Sequence, residues 1–227
     1  ARQVKNIKDS LKVASNLLAN LGEVAKIESG TINPQLTVFK LDDLFSELAQ
    51  EFSAAADNLN VAFRVVPTKI WVKSDPLLLR RILQNLLGNA FRYASPGKIL
   101  LGVRRRGLGA QIQVLDNGPG IPAEQQQHVF EQFTQLQTGD ARGAKGLGLG
   151  LNITKSFAQL LKHPLSLRSD AGKGCNFSVE LPIHAPQIAE VAKPMTMGQV
   201  SLQGVTVMCI DNDPAVLNGM IELLTAW

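Results

Sequence analysis

Asparagine and arginine recur on one face of a helix-forming stretch, NLLGNAFRYA, at residues 85–94. Asn85, Asn89 and Arg92 stand at positions i, i+4 and i+7, so a helix projects them from the same side. Asparagine is a mediocre helix former because its side chain competes for backbone hydrogen bonds. Two amide oxygens beside a fixed cation suit a hard metal ion such as Mg²⁺ together with phosphate oxygens. A solvated polar face is the alternative explanation, and it would suffice if this stripe stood alone.

Two glycine-rich turns follow the helix. DNGPGIP, at residues 116–122, comes after an apolar strand pattern, and its glycines allow a sharp turn close to a ligand. Asp116 could accept a hydrogen bond from an exocyclic amine. KGLGLGL, at residues 145–151, places three glycines before a helix, where exposed amides and the helix N-terminus favour phosphate. The spacing excludes a P-loop, and each turn alone is weak evidence.

Hydrophobic periodicity predicts the elements that position these residues. The predicted strands lie near residues 37–39, 61–66, 70–73, 99–105, 110–115, 165–169 and 176–181. Helices are predicted over about 42–58, 123–132 and 151–161, and another, opened by Asp75 and Pro76, carries the asparagines. Hairpin-like neighbours are too common for a purely parallel sheet. We therefore predict an α+β fold, a two-layer α/β sandwich.

Three flanking segments complete the chain. Residues 1–28 have apolar positions at alternating spacings of three and four, typical of a helix bundle, so this helix needs partners, missing from this sequence or in a second chain. Residues 184–203 lack a sustained period and contain two prolines, which indicates a linker. Residues 204–227 offer an apolar strand, an acidic turn and the start of a helix. Since the chain begins without methionine and stops inside an apolar pattern, we expect a fragment of a longer protein.

Composition narrows the class of protein. The chain is 45% hydrophobic and 19% charged, no apolar run approaches the ~20 residues that span a bilayer, and no signal peptide opens it. Its two cysteines have no metal-site spacing, which favours reduced thiols in the cytoplasm. A net charge of +4 raises nucleic-acid binding as a possibility. The basic run Arg104–Arg106 is expected at a hairpin tip, however, so we predict no nucleic-acid partner.

Taken in order, the asparagine-rich helix, the DxGxG turn, the FEQF stretch and the GxGxG loop resemble the N, G1, F and G2 boxes of the GHKL ATP-binding fold. The resemblance is specifically to sensor histidine kinases, and GKGCNFSVELP is similar to their final glycine box and closing strand. It covers about residues 37–183. Residues 1–29 resemble the second helix of the dimerisation and phosphotransfer bundle, and residues 204–227 resemble the start of a receiver domain. The parent protein therefore resembles a hybrid histidine kinase.

The resemblance implies binding of ATP and Mg²⁺, with Asn85 and Asn89 as the catalytic residues. Asn89 would be the Mg²⁺ ligand, and Asn85 would support the metal and the phosphates. Arg92 would contact phosphate, Tyr93 would flank the nucleotide, and Asp116 would bind the adenine amine. The other implied ATP-binding residues shape the adenine pocket or line the phosphates; they are Gly118, Gly120, Lys145, Gly146, Leu147, Gly148 and Gly150. Asp211 and Asp213 would bind Mg²⁺ only in a complete receiver domain, while Phe130 and Phe133 are expected to anchor the lid.

Asn85 also separates two reactions. In hydrolytic relatives such as DNA gyrase, a glutamate four residues before the metal asparagine activates water, and an amide cannot accept that proton. The resemblance therefore implies transfer of the ATP γ-phosphate to a histidine, and from there to a receiver aspartate. No histidine lies in residues 1–29, so this fragment alone is not expected to autophosphorylate. Cys175 departs from the family, which commonly has a hydroxyl residue supporting the adenine-binding aspartate.

The resemblance also implies partners: ATP, a second protomer through the N-terminal helix, and the protein's own or a partner's receiver domain. We expect a cytoplasmic location, with any membrane anchor of the parent in a missing N-terminal region. Two alternatives stay open. One is a non-catalytic interaction module with the GHKL fold, which the intact glycine boxes disfavour. The other is a GHKL ATP hydrolase, which the missing glutamate disfavours.

Overall fold

The computed structural model describes residues 22, 25–27, 29–94, 96–107, 109–134 and 148–184, which belong to a compact unit, Ala1–Gln187. The predictions for the bundle helix, the linker and the receiver-like unit lie outside the described residues, except that residues 22 and 25–27 are helical and residue 184 is described. A turn follows them, in which the Gly30 N–H donates to the Ile27 carbonyl at a φ of +65°. Gly30 thus has the left-handed backbone conformation that commonly ends a helix.

The described residues form a mixed five-stranded sheet, a separate two-stranded sheet and three long α-helices. The elements in chain order are β1 (Thr37–Lys40), α1 (Leu41–Leu59), β2 (Val61–Val65), β3 (Trp71–Ser74), α2 (Pro76–Tyr93), β4 (Gly97–Arg106), β5 (Gly109–Asp116), α3 (Gly150–Leu160), β6 (Leu165–Ser169) and β7 (Cys175–Pro182). The sheet order is β2-β4-β5-β7-β6. β2 and β4 are parallel, whereas the other pairs are antiparallel.

Apolar and polar side chains alternate along the strands and so lie on opposite faces of the sheet. Val114 pairs with Leu101 on one side and Phe177 on the other, and all three side chains are buried in the core. The neighbouring residue Gln113 instead belongs to the polar face, where it bonds to Asn176. Because one face is apolar and the other polar, the helices cover a single side. The two-layer sandwich is confirmed.

Helix α2 lies between α1 and α3 and also packs on β5. Its buried residues recur at helical spacing; they are Leu79, Ile82, Leu83, Leu86, Leu87, Ala90 and Phe91. Phe91 stacks on Phe52 with ring centroids 5.2 Å apart and meets Phe63 edge-on at 5.3 Å. These rings hold the C-terminal end of α2 against α1 and β2. The face left over is the one that carries Asn85 and Asn89.

The helix predicted over residues 123–132 is wrong, because two short 3₁₀ turns, Ala123–Gln125 and His128–Phe130, occupy that stretch. The side-chain amide of Gln126 donates to the carbonyl oxygens of Ile121 and Ser169, at 2.9 and 2.8 Å. The segment is therefore tied to the preceding loop and to β6 rather than to a helical ladder of its own. Glutamine-rich residues 125–127 also offer little apolar surface for a helix to bury.

Strand β3 forms the centre of the small sheet at the other side of the domain. Val72 pairs with Phe39 of β1 on one edge and forms a bridge to Ile183 on the other. The His184 N–H extends this bridge by donating to the Trp71 carbonyl at 2.9 Å. The segments at both ends of the described domain therefore flank one strand.

Candidate functional site

The asparagine face is positioned from the start of α2. The Asp75 carboxylate accepts hydrogen bonds from the backbone N–H groups of Leu77 and Leu78, at 2.9 and 3.0 Å, and Pro76 occupies the first turn. This is the capping arrangement that the Asp-Pro pair predicts. Because the cap fixes where the helix begins, it also fixes the direction in which Asn85 and Asn89 point.

Both asparagine side chains are half-buried, and within the described residues neither amide has a hydrogen-bond partner. Asn85 faces the beginning of α3, because a Cβ built on Gly150 would lie 3.8 Å from its Oδ1 atom. Half-buried amides that are not bonded to the described protein groups can bond to water or to a ligand. Unpaired N–H groups of a helix N-terminus favour an anion. These two features meet at Asn85.

Arg92 and Tyr93 occupy the last turn of α2, and both are exposed. The turn after β5 closes against this end of the helix: a Cβ on Gly118 would stand 3.2 Å from the Tyr93 carbonyl oxygen and 3.3 Å from the Cα of Ala94. The structure therefore brings the predicted residues of α2 and of the DNGPG turn into one region.

The Asp116 carboxylate is held from one side. Its Oδ1 atom accepts backbone hydrogen bonds from Gly118 at 2.8 Å and from Cys175 at 3.3 Å. Burial raises the pKa of the Asp116 carboxyl, and these two hydrogen bonds lower it more weakly. No described residue bonds to Oδ2, so this oxygen can accept a hydrogen bond from a ligand amine.

Two positions beside Asp116 require glycine. Gly120 has a φ of +70°, and a Cβ there would stand 2.0 Å from the Asp170 carbonyl oxygen. Gly174 has a φ of +81°, and a Cβ there would stand 2.0 Å from the Asp116 carbonyl oxygen. Both the left-handed backbone and the close approach exclude a side chain. The predicted role of Gly120 as a shaping residue is consistent with this geometry.

Ser169 is a residue that the sequence interpretation missed. Its hydroxyl accepts from the Ile121 N–H at 2.8 Å, donates to the Gly174 carbonyl at 2.7 Å and lies 3.4 Å from the Cys175 sulfur. It thus fastens the DNGPG turn to the β6–β7 hairpin. The register that pairs Ser169 with Cys175 is a long-range feature, which residue types alone do not indicate.

Cys175 contacts Asp116 through its backbone N–H, while its thiol lies beside Ser169. Burial raises the pKa of the Cys175 thiol to about 11, with the Ser169 hydrogen bond lowering it and Asp116 raising it by smaller amounts. The thiol is therefore neutral near pH 7. Asp116, Ser169 and Cys175 also line a cavity of about 460 Å³, which lies within the size range of small-molecule sites.

The predicted residues Lys145, Gly146 and Leu147 lie outside the described residues, whereas Gly148 and Gly150 are described. The described chain on the two sides of residues 135–147 is joined, since the Phe133 N–H donates to the Gly148 carbonyl at 3.0 Å. Gly148 has a φ of +67°, and a Cβ there would stand 2.6 Å from the carbonyl carbon of Phe133. The glycine permits this close approach.

The two phenylalanines expected to anchor this region differ. Phe130 meets Phe177 edge-on, with ring centroids 6.3 Å apart, and its carbonyl accepts from the Asn152 side chain at 3.1 Å. Phe133 is 61% exposed and has a φ of +61°. Phe130 therefore packs into the domain, and Phe133 does not.

Together these groups can hold a ligand that is anionic at one end and carries an amine at the other. The amides of α2 and the N-terminus of α3 lie at the anionic end, and Oδ2 of Asp116, which no described residue bonds, lies at the amine end. Among the described residues, no group of three or more histidine, cysteine, aspartate or glutamate side chains could hold a metal ion. Nor does the described part of the chain contain a helix long and apolar enough to cross a membrane.

The chain is similar to a family of ATPases and to sensor histidine kinases. The sequence model of a family described as "Histidine kinase-, DNA gyrase B-, and HSP90-like ATPase" matches residues 74–185. The chain is 33% identical to the sensor-like histidine kinase SenX3 of Mycobacterium tuberculosis over 169 residues, which cover 74% of this chain and 41% of that protein. It is 28% identical to the sensor histidine kinase RcsC of Escherichia coli over 189 residues, 82% of this chain and 20% of that protein. The chain thus spans less than half the length of these relatives.

Two solved structures show the same fold. The histidine kinase AdeS of Acinetobacter baumannii has a TM-score of 0.67 at 20% identity, covering 80% of this chain and 84% of that one. Full-length ShkA in complex with AMPPNP has a TM-score of 0.67 at 24% identity, covering 82% and 40% respectively.

Proposed function

We propose that this chain is the ATP-binding catalytic part of a hybrid histidine kinase, because the sequence model of the histidine kinase-, DNA gyrase B- and HSP90-like ATPase family matches residues 74–185. In the whole protein it would transfer the ATP γ-phosphate to a histidine, and a receiver aspartate would accept the phosphate next. The curated relatives that support this proposal carry the names of sensor histidine kinases.

The observation that carries the proposal is that two kinds of binding group lie along α2. In the middle of the helix and toward its C-terminus, half-buried Asn85 and Asn89 have no partner among the described residues, and Asn85 faces the N-terminus of α3. At the C-terminus of the helix, the DNGPG turn packs against α2, and the Asp116 carboxylate is held there by its Oδ1 atom. A nucleotide has phosphates at one end and, in adenine, an exocyclic amine at the other, so its chemistry suits both kinds of group.

Each site residue then has a defined role. Asn89 and Asn85 offer amide oxygens, which fit the preference of Mg²⁺ for hard oxygen ligands, and the ion when bound would neutralise phosphate charge. Arg92 would bind phosphate and Tyr93 would lie beside the nucleotide. Asp116 would accept the adenine amine hydrogen. We extend phosphate contact to Lys145, Gly146, Leu147, Gly148 and Gly150 by the same resemblance.

Phosphoryl transfer is favoured over hydrolysis because α2 contains neither aspartate nor glutamate. A hydrolase needs a group that takes a proton from water, and an amide such as Asn85 does not do so near neutral pH. Phosphoryl transfer to a protein acceptor depends mainly on positioning and charge neutralisation, which amides and cations supply. The hydrolase alternative predicts steady phosphate release from ATP by this chain.

The wider assembly belongs to the same proposal. Residues 204–227 would begin a receiver domain in which Asp211 and Asp213 bind Mg²⁺, and residues 1–29 would pair with a second protomer. The acceptor histidine would be supplied by the preceding helix of the parent protein.

Isothermal titration of the chain with ATP and Mg²⁺ tests the proposal. We expect binding that Asn89→Ala and Asp116→Ala each weaken by about tenfold or more, because each removes a hydrogen bond or metal ligand from a buried contact. Asn58→Ala is the matched control, since Asn58 is exposed on α1. Absence of ATP binding, or equal affinity in all three variants, would refute nucleotide binding at this site. Steady phosphate release would instead support the hydrolase.

A further inference from the structure

The junction between β3 and α2, formed by Ser74 and Asp75, is buried: the two residues are 0% and 6% exposed. The Asp75 carboxylate binds in two directions. Its Oδ1 atom caps α2 through Leu77 and Leu78, whereas its Oδ2 atom accepts the backbone N–H of Gln35 at 2.7 Å. Gln35 is 40 residues away in sequence. One side chain therefore joins the segment that enters the domain to the first turn of the nucleotide-binding helix.

Capping alone does not explain why this residue is an aspartate. A serine or threonine oxygen caps a helix about as well, but it offers no second carboxylate oxygen for another segment. Bonds to a charged acceptor are also stronger than neutral ones, and in the described residues the partners of this buried carboxylate are three backbone N–H groups. The second oxygen of Asp75 is thus committed to the entering segment.

The same junction also reaches α3. The Ser74 hydroxyl lies 2.9 Å from Nε2 of His163, which is 6% exposed and follows the C-terminus of α3. The entering segment itself has contact with the domain, since Ile32 packs against the core. Residues 74 and 75 therefore hold the start of α2, the end of α3 and the entering segment in one place.

We propose that Asp75 is a positioning residue that couples the entering segment, residues 29–36, to helix α2. Displacement of Gln35 loosens the first turn of α2, and a ligand that steadies α2 steadies Gln35 in return, because such coupling is reciprocal. The effect of a ligand on Gln35 rests on the proposed nucleotide binding. The effect of Gln35 on α2, which is the structural half of the coupling, does not.

Amide hydrogen exchange of the whole chain tests the structural half with a matched pair of variants. Gln35→Pro removes the N–H that Asp75 accepts, whereas Gln35→Ala keeps it. We expect the Leu77 and Leu78 amides, some 40 residues away, to exchange about tenfold faster in Gln35→Pro and at the wild-type rate in Gln35→Ala. Wild-type exchange at Leu77 and Leu78 in a folded Gln35→Pro variant would overturn the coupling. If that variant unfolds, the following experiment decides.

Nucleotide provides the reverse measurement. Addition of Mg-ATP should slow exchange of the Gln35 amide in the wild-type chain, and this effect should disappear in Asp75→Ser, which retains a capping oxygen. Asp42→Ser is the control: Asp42, in the first turn of α1, accepts the Thr68 N–H at 2.8 Å, so its variant loses a comparable bond and should keep the effect of ATP on Gln35. Binding of ATP without slower exchange at Gln35, or with the same slowing in Asp75→Ser, would overturn the coupling. If ATP does not bind, the proposed function fails, and the Gln35→Pro result decides the structural half.

Discussion

The β6–β7 hairpin offers a paired substitution that separates backbone strain from steric displacement of Asp116. Gly172 and Gly174 both have positive φ, +79° and +81°, but a Cβ on Gly172 would meet nothing within 4 Å, while one on Gly174 would stand 2.0 Å from the Asp116 carbonyl oxygen. A positive φ costs a non-glycine residue about 1–2 kcal/mol. Gly172→Ala should therefore lose about that much free energy of unfolding and leave the ligand site unchanged.

Gly174→Ala should lose the same free energy and more. A real Cβ does not approach within 3.0 Å, so the backbone beside Asp116 must move by about 1 Å, and forced shifts of this kind cost about 1–3 kcal/mol. For a domain of this size the additional loss corresponds to an unfolding temperature lower by roughly 2–12 °C. The shift also moves the Asp116 carboxylate, so ATP affinity should fall by about tenfold or more.

Differential scanning calorimetry and isothermal titration of the two variants measure both effects. The reasoning would be refuted if Gly174→Ala and Gly172→Ala lost equal stability and kept equal ATP affinity. It would also be refuted if Gly172→Ala weakened ATP binding as much as Gly174→Ala did.

Three further predictions concern the titratable residues. Burial raises the pKa of Asp116, so its ionised form destabilises the fold once the pH exceeds the folded-state pKa. Asp116→Asn should therefore raise the unfolding temperature at pH 7 and weaken ATP binding. A lower unfolding temperature would contradict this prediction. Burial lowers the pKa of His163, and the Lys162 backbone raises it more weakly. The chain should therefore lose stability as the pH falls below about 6.5 toward the folded-state pKa. Unfolding curves of His163→Gln should show a weaker pH dependence, and an unchanged dependence would exclude His163 as its source. The pKa of Cys175 is about 11 instead of 9.0, so its thiolate fraction should be about 100-fold below that of an ordinary cysteine. Its alkylation rate, measured by mass spectrometry in a Cys209→Ser background, should be lower by the same factor. An ordinary alkylation rate would contradict the burial of the thiol.

The elements that sequence predicts well are those with strong local signals. Helix α2 combines an Asp-Pro start with apolar residues at helical spacing, and its observed bounds, Pro76–Tyr93, follow from both. The helix predicted over residues 123–132 had a weaker basis, because its glutamines neither form an apolar face nor exclude a helix. There the side chain of Gln126 bonds to Ile121 and Ser169, a tertiary interaction that local propensity does not contain.

The candidate site divides in the same way. Asn85, Asn89 and Asp116 stand in motifs whose order along the chain is visible in the sequence. Ser169 and the backbone contact of Cys175 to Asp116 depend on the pairing of β6 with β7 and of β7 with β5, which joins residues far apart along the chain. The parallel pairing of β2 with β4 is another such feature, because periodicity identifies strands without naming their neighbours.

The small sheet around β3 has a consequence for how the domain could be rebuilt. Phe39 and Ile183 lie on opposite sides of Val72, so two interstrand spacings, about 10 Å, separate these two residues near the beginning and the end of the described domain. A short glycine-rich peptide could close this gap, and the exposed tip after Arg106, where Gly107 has a φ of +57°, offers a place for new termini. A circularly permuted form of the described domain, opened at that hairpin, should therefore retain the fold, since domain ends that lie close together tolerate such rearrangement.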